Sequence, residues 1–294
     1  MIRRVFGSLY FLTFLNGFLL ASLFYFYMEA SYEKELFQAI HNTINSKINL
    51  VDNQDSVLVK VMHVSHVLLV SRESIFQGKD FEGLKSDLFD PASIDLMTAK
   101  GACGSFSIVL ARILQGYNFP VRIAQMKSNG IYGKHIIVEA KTSHGWVVLD
   151  PLFDIYFRSP YQNLASFQEV KNNWNYYKSQ LPPGYDMNYS YEDVRYSNWN
   201  KIPILLPAIK KILDITIGKP VADTISLRTY FLKKYTIFFY LILVFFLYIF
   251  SFTFIKLIKA KYFPQKNIPA TFSNIFKYLR ISLFSKGFTE HGQA

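Results

Sequence analysis

The chain has 294 residues, of which 51% are hydrophobic, and its 32 basic against 21 acidic side chains give a net charge of +11. A single cysteine rules out an internal disulfide, so any folded domain must be held by its core alone, and a chain this long can supply one. The apolar content is concentrated in two runs, which argues against a simply soluble protein and gives the charge excess a membrane context rather than a nucleic-acid one.

Val5 to Tyr27 is free of charge and long enough to cross roughly 30 Å of hydrocarbon. It reads as an uncleaved anchor: its apolar stretch exceeds the roughly 7–15 residues of a signal peptide, and no small-x-small site follows. Residues 29–48 read as an amphipathic helix with Leu36, Ile40, Ile44 and Ile48 on one face. Asn53 to Asp55 break that pattern. Val57 to Val70 reads as a buried helix, although its valines also suit a strand, and Gly78 to Pro91 as loop.

A helix is expected from about Cys103 to Gln115, stopping at Gly116 with Pro120 beyond. Val121 to Met126 and Lys134 to Ala140 should form a hairpin about Asn129 and Gly130, with Trp146 to Leu149 as a third strand. A helix followed by an antiparallel meander means α+β. Residues 156–200 are aromatic and aperiodic; Trp174, Tyr176, Tyr177, Tyr189, Tyr191, Tyr196 and Trp199 serve equally as a ligand groove or as packing. Ile202 to Ile217 suits either an element lying on a membrane surface or a core-packing helix. Thr236 to Phe254 is a second candidate span with no polar face. Phe272 to Phe284 suits an amphipathic helix on anionic lipid.

These elements divide the chain into an anchor (1–28), an exported domain (29–200, core 50–155), an apolar and basic juxtamembrane segment (201–234), a second transmembrane helix (235–256) and a basic tail (257–294). Arg3 and Arg4 precede the first span with no acid, and seven basic residues follow the second against Glu290 alone. The region between is nearly balanced, at 23 basic and 20 acidic side chains. Both ends therefore read as cytoplasmic and the middle as exported, to the periplasm if the source is bacterial. Lys210, Lys211, Lys233 and Lys234 pull against this, and a cytoplasmic-facing domain is the reading that follows if the charge rule fails.

The lone thiol stands in Gly101, Ala102, Cys103, Gly104, Ser105, at the start of the expected helix. His135 follows 32 residues later on a strand, and Asp150 another 15 residues on, before Pro151. A thiol attacks an amide only as thiolate, and a helix N-terminus offers it a positive dipole end and open N–H donors for the oxyanion. A histidine can hold that thiolate and later protonate the leaving amine, and a carboxylate can fix the histidine tautomer. Gly101 and Gly104 suit close approach of the backbone to a substrate. Taken singly, the three residues have plainer explanations as a buried thiol, a strand histidine and a turn aspartate.

Residues 101–153 resemble the transglutaminase-like core, part of the wider papain-like group. The resemblance is carried by Gly-x-Cys opening a helix, a Gly-x-x-Pro-type turn (Gly116 to Pro120), a histidine-bearing strand, and a Trp…Leu-Asp-Pro strand (Trp146, Leu149, Asp150, Pro151). It implies thiol chemistry on amides: hydrolysis, or transfer of an acyl group to an amine, with Cys103, His135 and Asp150 in the roles above and no cofactor. Hydrolysis is favoured because bulk water outcompetes an amine unless the site excludes it. The chain departs from the family pattern at Ile136 and Ile137, where small or aromatic residues are common. It also has no evident side-chain oxyanion donor upstream of the cysteine, for which His66 is the candidate.

The expected partners are a protein or peptide amide substrate and membrane lipid. His63 and His66 are spaced to face one way, but no further ligand completes a metal site. The competing class is a non-catalytic, membrane-bound binding or scaffold module of the cell envelope.

Overall fold

The computed structural model describes residues 8–48, 53–79 and 90–262. These fall into two units, one made of 8–21 with 243–262, the other of the described residues from 22 to 242. Among the described residues two helices are long and apolar enough to cross a membrane, α1 (Leu9–Asn45) and, last of those described, α10 (Lys234–Tyr262). A single helix thus covers both the first apolar run and the amphipathic segment that the sequence pattern separates. In the smaller unit the Asn16 side chain donates to the Leu12 carbonyl at 2.8 Å and to Thr253 Oγ1 at 2.9 Å. A polar pair of this kind ties apolar helices together where no water competes. The amphipathic tail expected over Phe272 to Phe284 lies outside the described residues, as do most of the charges behind the orientation argument.

The larger unit is α+β. Its helical layer holds α2 (Gln54–Phe76), α3 (Ala92–Thr98) and α4 (Cys103–Gly116). Asn53, where the pattern breaks, is the N-cap of α2 and accepts from the Ser56 amide at 2.8 Å. The valine-rich stretch is therefore helical, with Leu58, Val61, Met62 and Leu69 buried. On α4, Phe106, Val109, Leu110, Ile113 and Leu114 are fully buried, at about 1.5–3 kcal/mol for each large side chain.

The sheet follows as a meander. β1 (Val121–Ser128), β2 (Ile131–Thr142), β3 (Gly145–Asp150) and β4 (Ile155–Tyr156) run in sequence, and β5 (Val194–Arg195) returns beside β1, giving the order β4-β3-β2-β1-β5. Asn129 and Gly130 both have positive φ, which twists the β1–β2 turn to match the strands it joins. One face of the sheet, with Ile123, Val138, Ala140 and Leu149, packs on α2 and α4. The other, with Met126, Ile137 and Val148, packs on an aromatic layer built from Phe157, Tyr177, Tyr185 and Tyr191. That layer comes from the aperiodic segment, through α5 (Phe167–Asn172) and α6 (Trp174–Tyr177). Of the seven aromatics read as groove or packing, Tyr177 and Tyr191 are buried in this second core, whereas Tyr176 is exposed and Tyr196 lines a cavity.

Beyond the sheet come α7 (Leu205–Thr216), α8 (Lys219–Asp223) and α9 (Leu227–Tyr230). No residue of α7 is buried; Leu205, Ile212 and Ile215 stand open, which removes the core-packing reading of that segment. Strand β5 is only two residues long, and past its end Ser226 takes the place of a strand. Its hydroxyl donates to the Ile123 carbonyl at 2.8 Å and accepts from the Ile123 amide at 3.1 Å.

Gly116 does more than end α4. A Cβ there would lie 2.1 Å from Nε2 of His41 on α1, so the glycine allows the two helices to touch. Gly116→Ala should destabilise the larger unit by about 1–3 kcal/mol through overpacking, read as a lowered unfolding temperature. Gly17→Ala, where a Cβ meets nothing within 4 Å and the backbone is helical, should bring no such loss.

Candidate active site

Extending the β2–β3 register one step past Val138↔Leu149 sets Asp150 level with Ile137, so His135 is its diagonal neighbour on the same face. The imidazole closes that gap: His135 Nε2 donates to Asp150 Oδ2 at 2.6 Å, with both residues only 1% exposed. The Tyr191 hydroxyl donates to the same oxygen at 3.5 Å. The Tyr189 ring stacks on the imidazole, with centroids 4.4 Å apart and planes 16° from parallel, and Phe153 closes another side at 5.6 Å. Burial pushes the phenols of Tyr191 and Tyr185 up, and the nearby Asp150 charge adds to it, so both remain donors.

Cys103 opens α4 and is half-buried, so it is accessible to solvent. With Nε2 committed to Asp150, Nδ1 is the ring nitrogen left for the sulfur. Burial alone would push His135 down. The Asp150 carboxylate, with a smaller contribution from a hydrogen bond and charge on Cys103, outweighs it and holds the imidazole at about 10. At neutral pH the ring is therefore a cation between a carboxylate and a sulfur. The structure brings all three sequence candidates together.

The turn before Cys103 is strained. Ala102 sits at φ 44°, ψ −121°, a conformation a side chain disfavours. The Ala102 and Gly104 amides bond back to the Ala99 and Gly101 carbonyls at 3.0 Å each. Among the described residues, the Cys103 amide is then the donor left open beside the sulfur, suited to an oxyanion. Gly101 has an internal reason of its own: its amide donates to Ser105 Oγ at 3.0 Å, and a Cβ there would lie 2.9 Å from that same oxygen. A Cβ at Gly104 would meet only Ile136 Cδ1, at an ordinary contact distance of 3.8 Å. Ser107 Oγ also donates to the Ile136 carbonyl at 3.0 Å, fixing α4 against the strand that carries His135.

His66, the oxyanion candidate, has its Nδ1 3.1 Å from the Pro151 carbonyl and its ring 5.8 Å from Phe106. His63 meets Asp154 at 2.6 Å. The pair clamps the turn after Asp150, and among the described residues no group of metal-binding side chains occurs. A cavity of about 710 Å³ lined by Arg122, Glu139, Trp146 and Tyr196 does not include the thiol. Its arginine is already bound by Glu139 at 2.7 and 3.2 Å and sandwiched by the two rings.

Sequence reasoning missed Arg228 and Asp95, and it named Tyr189 and Tyr191 only as groove or packing residues, since a segment without periodicity gives no link from them to His135 and Asp150. Arg228 on α9 interacts electrostatically with Cys103 across more than a hundred residues of chain. Asp95 on α3 accepts from Ser105 Oγ at 2.6 Å and so anchors the Gly101–Ser105 turn. The nearest signal was Ser105 itself, two residues past the thiol. Neither family models, curated proteins nor solved structures give a match to this chain.

Burial raises the Asp95 carboxyl to about 6; the Ser105 hydrogen bond partly offsets this and the Asp90 charge adds to it. A raised carboxyl favours folding while protonated, fully below about 3.8, and that contribution is lost as pH rises through about 6. Asp95→Asn keeps the acceptor for Ser105 and removes the ionisation. It should stabilise the protein at pH 8 by on the order of 2–3 kcal/mol and by clearly less at pH 5, measured as the difference in thermal unfolding from wild type.

Proposed function

We propose that this chain is a membrane-anchored thiol acyltransferase of transglutaminase-like type, acting on amide bonds through a thioester on Cys103. The observation that carries the reading is the buried His135–Asp150 pair, which keeps an imidazolium beside an accessible sulfur at the start of a helix. The motif order along residues 101–153 supports the same assignment.

In this mechanism the Cys103 thiolate adds to the amide carbonyl, and the oxyanion is met by the Cys103 amide. Collapse breaks the C–N bond, and His135 gives its proton to the departing amine. Water, or an amine, then attacks the thioester and passes a proton back to His135, releasing the acid or new amide and freeing the thiolate. Asp150 holds the ring in orientation throughout and bears the charge opposite to it. The half-open thiol gives water ready access, which favours hydrolysis.

The two long apolar helices would anchor the domain, with both termini cytoplasmic by the distribution of basic residues and the thiol on the exported side. The open apolar face of α7, with Lys210 held by Asp214 and Asp223, suits contact with the membrane surface.

An ordinary thiol is only about 1% ionised at pH 6.5. Alkylation of Cys103 by a maleimide at that pH should therefore fall about 10- to 100-fold in His135→Ala, with the two rates converging above pH 10. p-Nitrophenyl acetate should acetylate wild type and not Cys103→Ala, seen by intact mass. Equal alkylation in wild type and His135→Ala at pH 6.5 overturns the reading. A membrane-impermeant maleimide on intact spheroplasts tests the orientation, since labelling only after lysis reverses it.

A further inference from the structure

A second cavity, of about 660 Å³, lies within the larger unit, at the end of α4 opposite the thiol. Its walls are α1, the C-terminal turn of α4, and the first turns of α10. Three cations line it, Lys34, Arg112 and Lys233, against the single carboxylate of Glu33. Arg112 and Glu33 are 8% and 3% exposed and pair only loosely, so that one polar atom of each is left unmatched. Arg112 Nε stands 3.7 Å from Glu33 Oε1, beyond hydrogen-bonding distance, and both Arg112 Nε and Glu33 Oε2 are buried without a hydrogen-bond partner. Buried donors and acceptors left so are costly, and a charge pair at such a spacing invites a bridging group. The guanidinium is held from below by the Phe37 ring at 4.9 Å. Lys233, exposed but partly shielded beside Arg112, is pushed down by that partial desolvation and then by the like charge, which an anion would relieve.

The rim is apolar and aromatic. Tyr27 and Phe239, which line it, approach to 6.1 Å between centroids, and their chain neighbours Phe26 and Phe238 to 5.5 Å. Both pairs belong to the long apolar runs of α1 and α10. A cationic floor carrying a net charge of +2 beneath a mouth that continues into hydrocarbon-seeking helices fits an amphiphile with an anionic head.

We infer that this cavity binds the phosphate-bearing headgroup of a membrane phospholipid. The phosphate takes Arg112, Lys34 and Lys233, while a hydroxyl or ammonium of the headgroup reaches Glu33. The acyl chains leave past Tyr27, Phe239 and Tyr240. Nine residues of α4 separate Arg112 from Cys103, roughly 13 Å of helix, so the lipid is not the acyl donor. The site rests on the membrane reading and not on the thiol chemistry.

The test uses the full chain in maltoside micelles. Dihexanoyl-phosphatidylglycerol should raise the unfolding temperature saturably, and Lys34→Gln with Lys233→Gln should weaken its apparent affinity at least tenfold. Both lysines are exposed, so the double variant retains its packing. Unchanged affinity in the double variant overturns the site. An equal effect from dihexanoylglycerol overturns the phosphate requirement, and equal affinity for glycerol phosphate assigns the site to a soluble phosphate ester instead. Alkaline carbonate extraction checks the membrane reading separately: release of the chain from membranes overturns that reading whatever the lipid titration gives.

Discussion

The hydrogen-bonded charge pair between His135 and Asp150 is the constraint around which the larger unit is arranged. Two ionisable groups removed from water cost several kcal/mol each unless they are matched; here the imidazole meets Asp150 Oδ2 at 2.6 Å, while Oδ1 of the same carboxylate is buried without a hydrogen-bond partner. The match exists only because β2 and β3 hold their register, since a slip of one residue would send Asp150 to the opposite face of the sheet. Register, in turn, is held by the alternation of Ile137 and Val148 toward the aromatic layer and of Val138 and Leu149 toward the helices. The pair is thus a product of packing on both faces, and the aromatic layer that seals it is as much a part of the site as the three polar side chains.

Much of this was legible because it obeys short-range rules. The hairpin turn at Asn129 and Gly130, the α4 stop near Gly116 and the three main strands follow from glycine and asparagine chemistry and from periodicity. The thiol and the carboxylate were legible because each sits at an end of a regular element, the start of α4 and the end of β3, and the imidazole because it falls within the strand paired next to the carboxylate's.

What was not legible has a common physical cause. Strand β5 has two residues and draws its stability from Gln125 and Met126 across the ladder, not from its own composition. Tyr189 reaches His135 from a segment with no period, so only the folded chain connects them. Asp95 sits on a seven-residue helix whose partner, Ser105, is separated from it by a turn in left-handed and strained backbone at Ala99 and Ala102. Gly116 gave a true stop signal for an incomplete reason, since its lack of a side chain also serves the contact with His41. Long-range tertiary contacts of this kind override local propensity and leave little trace in it.

Helix α4 joins the two polar features of the larger unit, and its two ends are chemically unlike. At its N-terminus the peptide dipole and an open amide favour negative charge, which suits a thiolate or an oxyanion. Toward its C-terminus, where the dipole favours positive charge, Arg112 lines the cavity near Gly116 and Tyr117. Between them Leu110, Ala111 and the preceding buried residues pack without exposed surface against the sheet and α2. Arg112 thus stands where the helix dipole favours a cation and the Cys103 turn where it favours an anion, with a close-packed middle holding the two apart.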